Sequence, residues 1–418
     1  MSASSALRLA IDIGGTFTDT VLVDASGTVV ASTKTLTTPD EPALGALEGL
    51  KRALAACEAA PDRISTFIHG TTLATNALIE KRGAQVATLT TQGFRDILEI
   101  GYERRYSQYD IDIQKPDLLV QRDRAFTIAE RMSASGEILL PLDESAVPEL
   151  IAALRGCRAE ALAICLLHAY ANSEHEVRLR DLLSAELPDL AISISSEISP
   201  EAREFDRLCT TTANAYVQPM MARYLTTFQQ EFSQAGVRCP ILMMTASGGM
   251  CALEAAARFP IRLVESGPAG GAILAARTAA QLGLKDVLSF DMGGTTAKLC
   301  LIDNARPQTS RQFEIARAAR FIKGSGMPVR IPVIDMIEIG AGGGSIANVD
   351  RLGRMAVGPE SAGSEPGPVA FGKGGGAPTV TDADVSLGYI RADLFAEGQF
   401  AIDSDAARAA IAQQIAEP

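Results

Sequence analysis

Two stretches decide the reading: Leu9-Ala-Ile-Asp12-Ile-Gly14-Gly15-Thr16-Phe-Thr18-Asp19 and Leu288-Ser-Phe-Asp291-Met-Gly293-Gly294-Thr295-Thr296-Ala-Lys298. Each is a short apolar run, an Asp, a Gly-Gly-Thr turn and a second apolar run. Each closes on another Asp, Asp24 or Asp303, twelve residues after the first. Apolar runs of this length bounded by glycine predict buried, paired strands. Each copy therefore predicts a β-hairpin with a glycine tip. Glycines let backbone N–H groups approach a phosphate closely, and the hydroxyls of Thr16, Thr18, Thr295 and Thr296 add donors. Asp12 and Asp291, at the strand ends, suit a divalent metal, held directly or through water. One such stretch is an ordinary tight hairpin. Two in matching strand contexts point to a shared ligand.

The rest of the composition excludes several classes. The chain has 418 residues, 47% hydrophobic and 21% charged, with no Trp. That is globular composition with room for two or three domains. A net charge of −12 argues against nucleic acid or an anionic membrane as partner. The seven cysteines are scattered without a CxxC pair, so neither a zinc site nor a disulfide framework is expected. No apolar run reaches about 18 residues, and Met1-Ser-Ala-Ser-Ser-Ala lacks a basic-then-apolar leader. The expectation is a cytoplasmic protein.

In chain order, residues 41–60 carry Leu44, Leu47, Leu50 and Leu54 at helical spacing. Ile64–Ile68 predicts a strand leading into His69-Gly-Thr71-Thr72-Leu-Ala-Thr75-Asn76. Polar groups on a strand-to-helix turn suit an anion or a carbonyl; a lone His can equally be a structural, hydrogen-bonded one. Residues 101–124 are polar and aromatic and read as a long excursion, a substrate lid, partner contact or solvated loop. Helices are expected over 145–155 and 174–187, flanking a strand at 161–167. Ile192–Ser195 reads as a strand, and a long helix over 201–232 as a connector between domains. Ser266-Gly267-Pro-Ala-Gly-Gly271 opens a helix over 272–282, where a glycine turn can bind phosphate or allow close packing. Gly340-Ala-Gly342-Gly343-Gly344-Ser345 presents four glycines that leave no side chain to obstruct a flat ring. Gly367–Gly374 imitates a P-loop, but Gly follows Lys373 where Ser or Thr is required.

The hairpin pair resembles the two phosphate loops of the actin-like ATPase fold, an α/β fold in which two similar domains close on one nucleotide. The chain as a whole resembles the hydantoinase A/5-oxoprolinase family of ATP-dependent lactam-opening enzymes, which includes acetone and acetophenone carboxylase subunits. Nine motifs carry the resemblance, among them 11–19, 69–84, 90–101, 266–271, 290–298, 340–347 and 378–384. It implies two similar domains, 1–210 and 211–418, around a nucleotide cleft. It implies ATP and Mg2+, with Asp12 and Asp291 on the metal and its waters and with Thr16 and Thr295 catalytic beside them. Gly14, Gly15, Thr18, Gly293, Gly294, Thr296 and Gly267 fall to the phosphates, and Gly342, Gly343, Gly344 and Ser345 to the adenosine. His69, Thr72 and Asn76 are the weaker candidates for a carbonyl substrate, a cyclic amide of the hydantoin or 5-oxoproline kind. A second, hydantoinase B-like subunit is the implied partner; a ketone carboxylase subunit and a non-metabolic ATPase are the alternatives. Many members have a His and Thr where this chain has Ile337 and Glu338, and many have Ser-Asn-Gly-Gly where it has Ala246-Ser247-Gly248-Gly249. The family's large subunit also runs past residue 418, so this chain reads as shortened.

Overall fold

The computed structural model describes residues 6–417 except 16, 39–40, 104, 114–116, 295, 318–322, 364 and 396–400. The chain packs as two compact units, each assembled from segments far apart in sequence. Residues 1–65, 268–308 and 334–418 form the first, and residues 66–267 and 309–333 the second. The units do not follow the division expected at 210/211. That position falls inside the helix Glu204–Gln234, which lies within the second unit. Residues 206–217 of this helix are buried in succession, so it is a core element of its own unit and not a connector.

The first unit opens with three antiparallel strands, Leu7–Ile13, Phe17–Val23 and Val29–Leu36. Alternation along the first strand turns Leu7, Leu9, Ile11 and Ile13 inward, as a half-buried strand requires. The helix Pro42–Ala56 lies on this sheet, with Pro42 in its first turn and Ala46, Leu50 and Ala53 fully buried. Leu44 is exposed, while Leu47, Leu50 and Leu54 pack with the alanines. The alanines keep the helix near the strands, and so does Gly49. A Cβ there would lie 2.5 Å from Thr20 Oγ1, and the Thr33 hydroxyl donates to the Gly49 carbonyl at 3.0 Å.

The second hairpin, Val287–Met292 and Ala297–Asp303, belongs to the same unit and is extended by Ile337–Ile339 beside its second strand. One face packs Cys300 and Ile302 against Ala269, Ala272 and Ala276 of the helix Ser266–Gln281. The other face differs from its counterpart in the first hairpin. Leu9, Ile11 and Ile13 are 1%, 2% and 1% exposed, whereas Leu288, Phe290 and Met292, at the same places in the repeat, are 54%, 58% and 39% exposed. The two hairpins are alike in sequence and backbone but not in what covers them.

The second unit holds a four-stranded parallel sheet ordered Ala191–Ile194, Ala161–Cys165, Val86–Thr91, Ala125–Ile128. Its middle strands are buried on both faces, so their apolar runs do not alternate. The helices Val147–Gly156 and Glu174–Glu186 supply Leu150, Leu154, Leu179 and Leu183 to this core. A second parallel pair, Ile64–Thr71 with Ile241–Met244, lies beside Phe228 and Phe232 of the long helix; Phe67 contacts both rings at 5.7 and 4.9 Å between centroids. Among the described residues no helix is long and apolar enough to cross a membrane.

The close seat of the first helix gives a stability test. In an open helix Gly→Ala is worth up to ~1 kcal/mol. At Gly49 the added methyl meets a β-branched, buried Thr20, and overpacking of this kind costs about 1–3 kcal/mol. Gly49→Ala is expected to lower the urea midpoint. Gly156→Ala, at an exposed helix end with no atom near its Cβ position, leaves it unchanged or raises it.

Candidate functional site

Both hairpin tips close with the same bond. The Gly14 N–H donates to the Phe17 carbonyl at 3.0 Å, and the Gly293 N–H donates to the Thr296 carbonyl at 2.9 Å. Gly15, Gly293 and Gly294 are exposed at these tips. Thr16 and Thr295 lie outside the described residues. Thr18 is placed otherwise than expected. It is fully buried and its hydroxyl bonds to that of Thr37 at 3.1 Å. Thr37 in turn donates to the Gly14 carbonyl at 2.9 Å. Thr18 and Thr37 thus brace the tip from behind, and Thr18 presents no hydroxyl to a ligand.

Strand register sets a row of three charged residues across each sheet. In the first, Asp12 pairs with Asp19 and Asp19 with Lys34. In the second, Asp291 pairs with Lys298 and Lys298 with Glu338. Each row carries one net negative charge. Lys34 Nζ is 2.6 Å from the Asp19 carboxylate, so its charge is largely satisfied there. The Asp12 side chain reaches solvent but sits recessed among protein atoms. Burial first, then the negative charges of Asp19 and Asp291, raise its carboxyl above the ordinary value, with Lys34 opposing. Like charges directly across a strand pair are unfavourable. The site thus holds excess negative charge near Asp12 and Asp291 that a cation would relieve. Among the described residues no three His, Cys, Asp or Glu side chains group to hold an ion by themselves. Two carboxylates completed by water and phosphate oxygens fit Mg2+, which keeps several waters and rarely takes an all-protein cage.

The glycine turn at 340–345 is built onto the second tip. Gly343 N–H donates to the Gly293 carbonyl at 2.9 Å, and Gly344 N–H to the Gly294 carbonyl at 2.7 Å. A Cβ on Gly344 would lie 3.0 Å from that Gly294 carbonyl oxygen; one on Gly343 would lie 2.6 Å from Thr381 Oγ1. The glycines here permit backbone to lie on backbone. A Cβ at either position would point into protein. Gly342 N–H donates to the Ser345 hydroxyl at 2.9 Å, closing the turn on itself. The segment 378–384 is the clamp behind it. Thr379 and Asp382 form a reciprocal capping box for the helix Val380–Leu387, and the buried Asp382 also accepts from Val369 and Ala370 N–H. Thr381 N–H then reaches the Gly343 carbonyl at 2.7 Å.

The remaining candidates lie elsewhere. Gly267 sits in the first turn of the helix Ser266–Gln281. His69 is fully buried in the second unit, with Nε2 bonded to the Tyr224 hydroxyl at 2.7 Å and its ring stacked on Phe228 at 4.3 Å. These contacts hold the His69 ring within the second unit. Thr72 and Asn76 are half-buried one helical turn apart; Asn76 Nδ2 is 3.4 Å from the Thr72 hydroxyl. Lys34 and Thr37 carry no local signal in the sequence. Only strand register and loop packing bring them to the tips.

The fold and site thus define an α/β protein built on a duplicated Asp-x-Gly-Gly hairpin. The chain belongs to the hydantoinase/oxoprolinase family: the family's N-terminal region matches residues 8–187 and the hydantoinase/oxoprolinase model matches residues 207–418. Caprolactamase subunit alpha of Pseudomonas jessenii is 36% identical over 98% of this chain and 58% of its own length. The crystal structure of that ATP-dependent caprolactamase aligns with a TM-score of 0.78 over 97% of this chain and 58% of that one. The acetophenone carboxylase gamma subunit of Aromatoleum aromaticum is 34% identical over 98% of this chain and 57% of its own length. The nucleotide-free structure of acetone carboxylase aligns with a TM-score of 0.79 at 26% identity, over 99% of this chain and 59% of that one. The chain therefore spans about three fifths of the length of these relatives.

The charge row at Asp12 predicts a pH effect. A carboxyl raised in the folded state contributes stability below its unfolded value, near 3.8, and loses it as pH rises through the folded value. In chelator-containing buffer Asp12→Asn, which cannot charge, is expected to melt above the wild type at pH 7. The difference should vanish toward pH 3. Differential scanning calorimetry across this range checks it; a variant less stable than wild type at pH 7 and at pH 3 alike contradicts it.

Proposed function

We propose that this chain is the ATP-using part of an enzyme that opens a cyclic amide by phosphorylating its carbonyl oxygen, on the actin-like ATPase fold. The observation that carries the reading is the pair of glycine tips in one unit, with Asp12 under the charge of Asp291. Membership of a family with an ATP-dependent caprolactamase supports it.

An amide carbonyl resists water because resonance places electron density on its oxygen. That oxygen attacks the γ-phosphorus of ATP, and the bond to ADP breaks. Water then adds at the activated carbon, the ring C–N bond breaks, and inorganic phosphate is released. Little covalent chemistry falls to the protein; positioning and charge neutralisation dominate phosphoryl transfer. The backbone N–H groups at Gly14, Gly15, Gly293 and Gly294 would hold phosphate oxygens. Asp12 and Asp291 would orient Mg2+ and its waters, and the ion would offset the charge developing on the transferred group. The glycine turn 342–345 would seat the nucleotide against the second tip. The relatives are named as alpha and gamma subunits, in keeping with a second polypeptide that receives the activated amide and completes hydrolysis.

A ketone carboxylase is the second reading, favoured by the acetophenone carboxylase gamma subunit at 34% identity over nearly the whole chain. There a carbon nucleophile replaces water. The two readings part in one assay: purified chain with its partner subunit, Mg·ATP, and either a lactam or bicarbonate with a ketone. The amide reading expects phosphate release stimulated by lactam, with stoichiometric ring opening. Bicarbonate-dependent loss of ketone instead establishes the carboxylase. Asp291→Ala is expected to slow either reaction by at least about 10²-fold, on the scale of losing one preorganised electrostatic group. Wild-type turnover in that variant removes Asp291 from the machinery.

A further inference from the structure

The two hairpins share a register but not a cover. In the first, the face carrying Leu9, Ile11 and Ile13 is closed by the helix Pro42–Ala56, whose buried residues include Ala46, Gly49, Leu50 and Ala53. Gly49 lies against Thr20, which pairs with Ile11 across the strands. In the second, the equivalent face carries Leu288, Phe290 and Met292 on one strand, Leu301 on the next, and Ile337 and Ile339 on the strand beside it, all exposed. Register places them together: Leu288 pairs with Leu301, Phe290 with Leu299, and Leu299 with Ile337. Residues directly opposite one another in paired strands share a face. The charged row of Asp291, Lys298 and Glu338 falls on the other face, because neighbours along a strand point to opposite sides.

Single exposed apolar residues are ordinary, but six in register on one sheet face mark an interaction surface. Val287–Met292 is also an edge strand, paired on one side only among the described residues. A bare apolar face that ends in a bare edge invites association with further polypeptide.

The first hairpin shows what fits such a face. The repeat aligns Asp12 with Asp291, and with them Thr20 with Leu299 and Leu22 with Leu301. Over Thr20 the covering helix has Gly49, where a Cβ would lie 2.5 Å from Thr20 Oγ1. Leu299 is bulkier than Thr20, so an occupant needs an equally small residue at that point. Leucine and alanine suit its other inner positions, and charge suits its outer face, as Glu48, Lys51 and Arg52 do in the first copy. The relatives contain polypeptide from which such a helix could come. The match covers 58% of caprolactamase subunit alpha and 57% of the acetophenone carboxylase gamma subunit, so about two fifths of each lies outside it.

We propose that the bare face of the second hairpin is the seat of an amphipathic helix with a small, uncharged inner face, supplied by polypeptide that corresponds to the part of these relatives outside the match. The seat lies within one compact unit and its occupancy is read without nucleotide, so it stands or falls apart from the ATP chemistry.

The probe is a fluorescent peptide of residues 42–56, the helix that covers the first face, held helical by a hydrocarbon staple between its outward positions 48 and 52. Anisotropy with the full chain reads binding, and saturable binding is expected. Phe290→Lys and Leu301→Lys in the chain are each expected to weaken it at least about tenfold, the worth of one buried large apolar side chain. Gly49→Leu in the peptide is expected to weaken it too, although it adds apolar surface, because the added side chain overpacks the seat. Tighter binding of that peptide would mark unspecific adhesion and overturn the proposal. Urea unfolding of the free chain separates loss of binding from loss of fold. Phe290→Lys is expected to leave the midpoint unchanged, whereas Ile11→Lys, at the same place in the first copy, lowers it sharply, since a buried unpaired charge is costly. An equal loss in both variants would show that the second face is already covered and would overturn the proposal. So would a peptide that fails to bind, or one that binds both chain variants as it binds the wild type. Sedimentation equilibrium showing a wild-type dimer that Phe290→Lys makes monomeric would overturn it as well, with a second copy as the occupant.

Discussion

Asp12 faces Asp19 directly across a strand pair, and the one lysine in that row sits 2.6 Å from Asp19. Asp291 adds to this juxtaposition, through a second row in which Lys298 lies between two acids. A protein keeps like charges together only where something else gains, and perturbed carboxylates cluster at sites for that reason. Two rows with one net negative charge each match a single divalent cation. The glycine tips beside them supply N–H groups rather than more carboxylates, so phosphate oxygens can approach the same place.

The surrounding structure serves to keep these tips still. Thr18 and Thr37 brace the first from below, and the turn at 342–345 braces the second by two backbone bonds. Behind that turn stands the Thr379–Asp382 capping box. These supports use buried, hydrogen-bonded polar groups, which position more firmly than solvent-facing side chains do. The same logic explains the threonines and glycines in both motifs. Most of them hold backbone in place, and the tip glycines are the ones open to a ligand.

Much of this architecture is legible in the sequence. The hairpins, their Asp positions and most buried elements follow from apolar spacing and glycine punctuation, because those signals are local. What the sequence hides is long-range. His69 looks available in its own stretch, but Tyr224 and Phe228, more than 150 residues on, close over it. Thr18 looks like a ligand donor, yet Thr37 takes its hydroxyl. Each compact unit is woven from separate segments, which no local composition shift marks. Glu338, a departure from the family pattern, shares a row with Lys298 and Asp291. The two hairpins look equivalent, yet only the first has its apolar face covered.

The proposed function stands on one divalent ion held, together with a nucleotide, by Asp12 and Asp291. Enhancement of water proton relaxation by Mn2+ in the presence of a non-hydrolysable ATP analogue reads that complex directly, because the ion must be immobilised on the protein to give the signal. The expected result is a saturable enhancement in the wild type that disappears in Asp12→Asn and in Asp291→Asn while each variant keeps its circular dichroism. Wild-type enhancement persisting in both variants would contradict it.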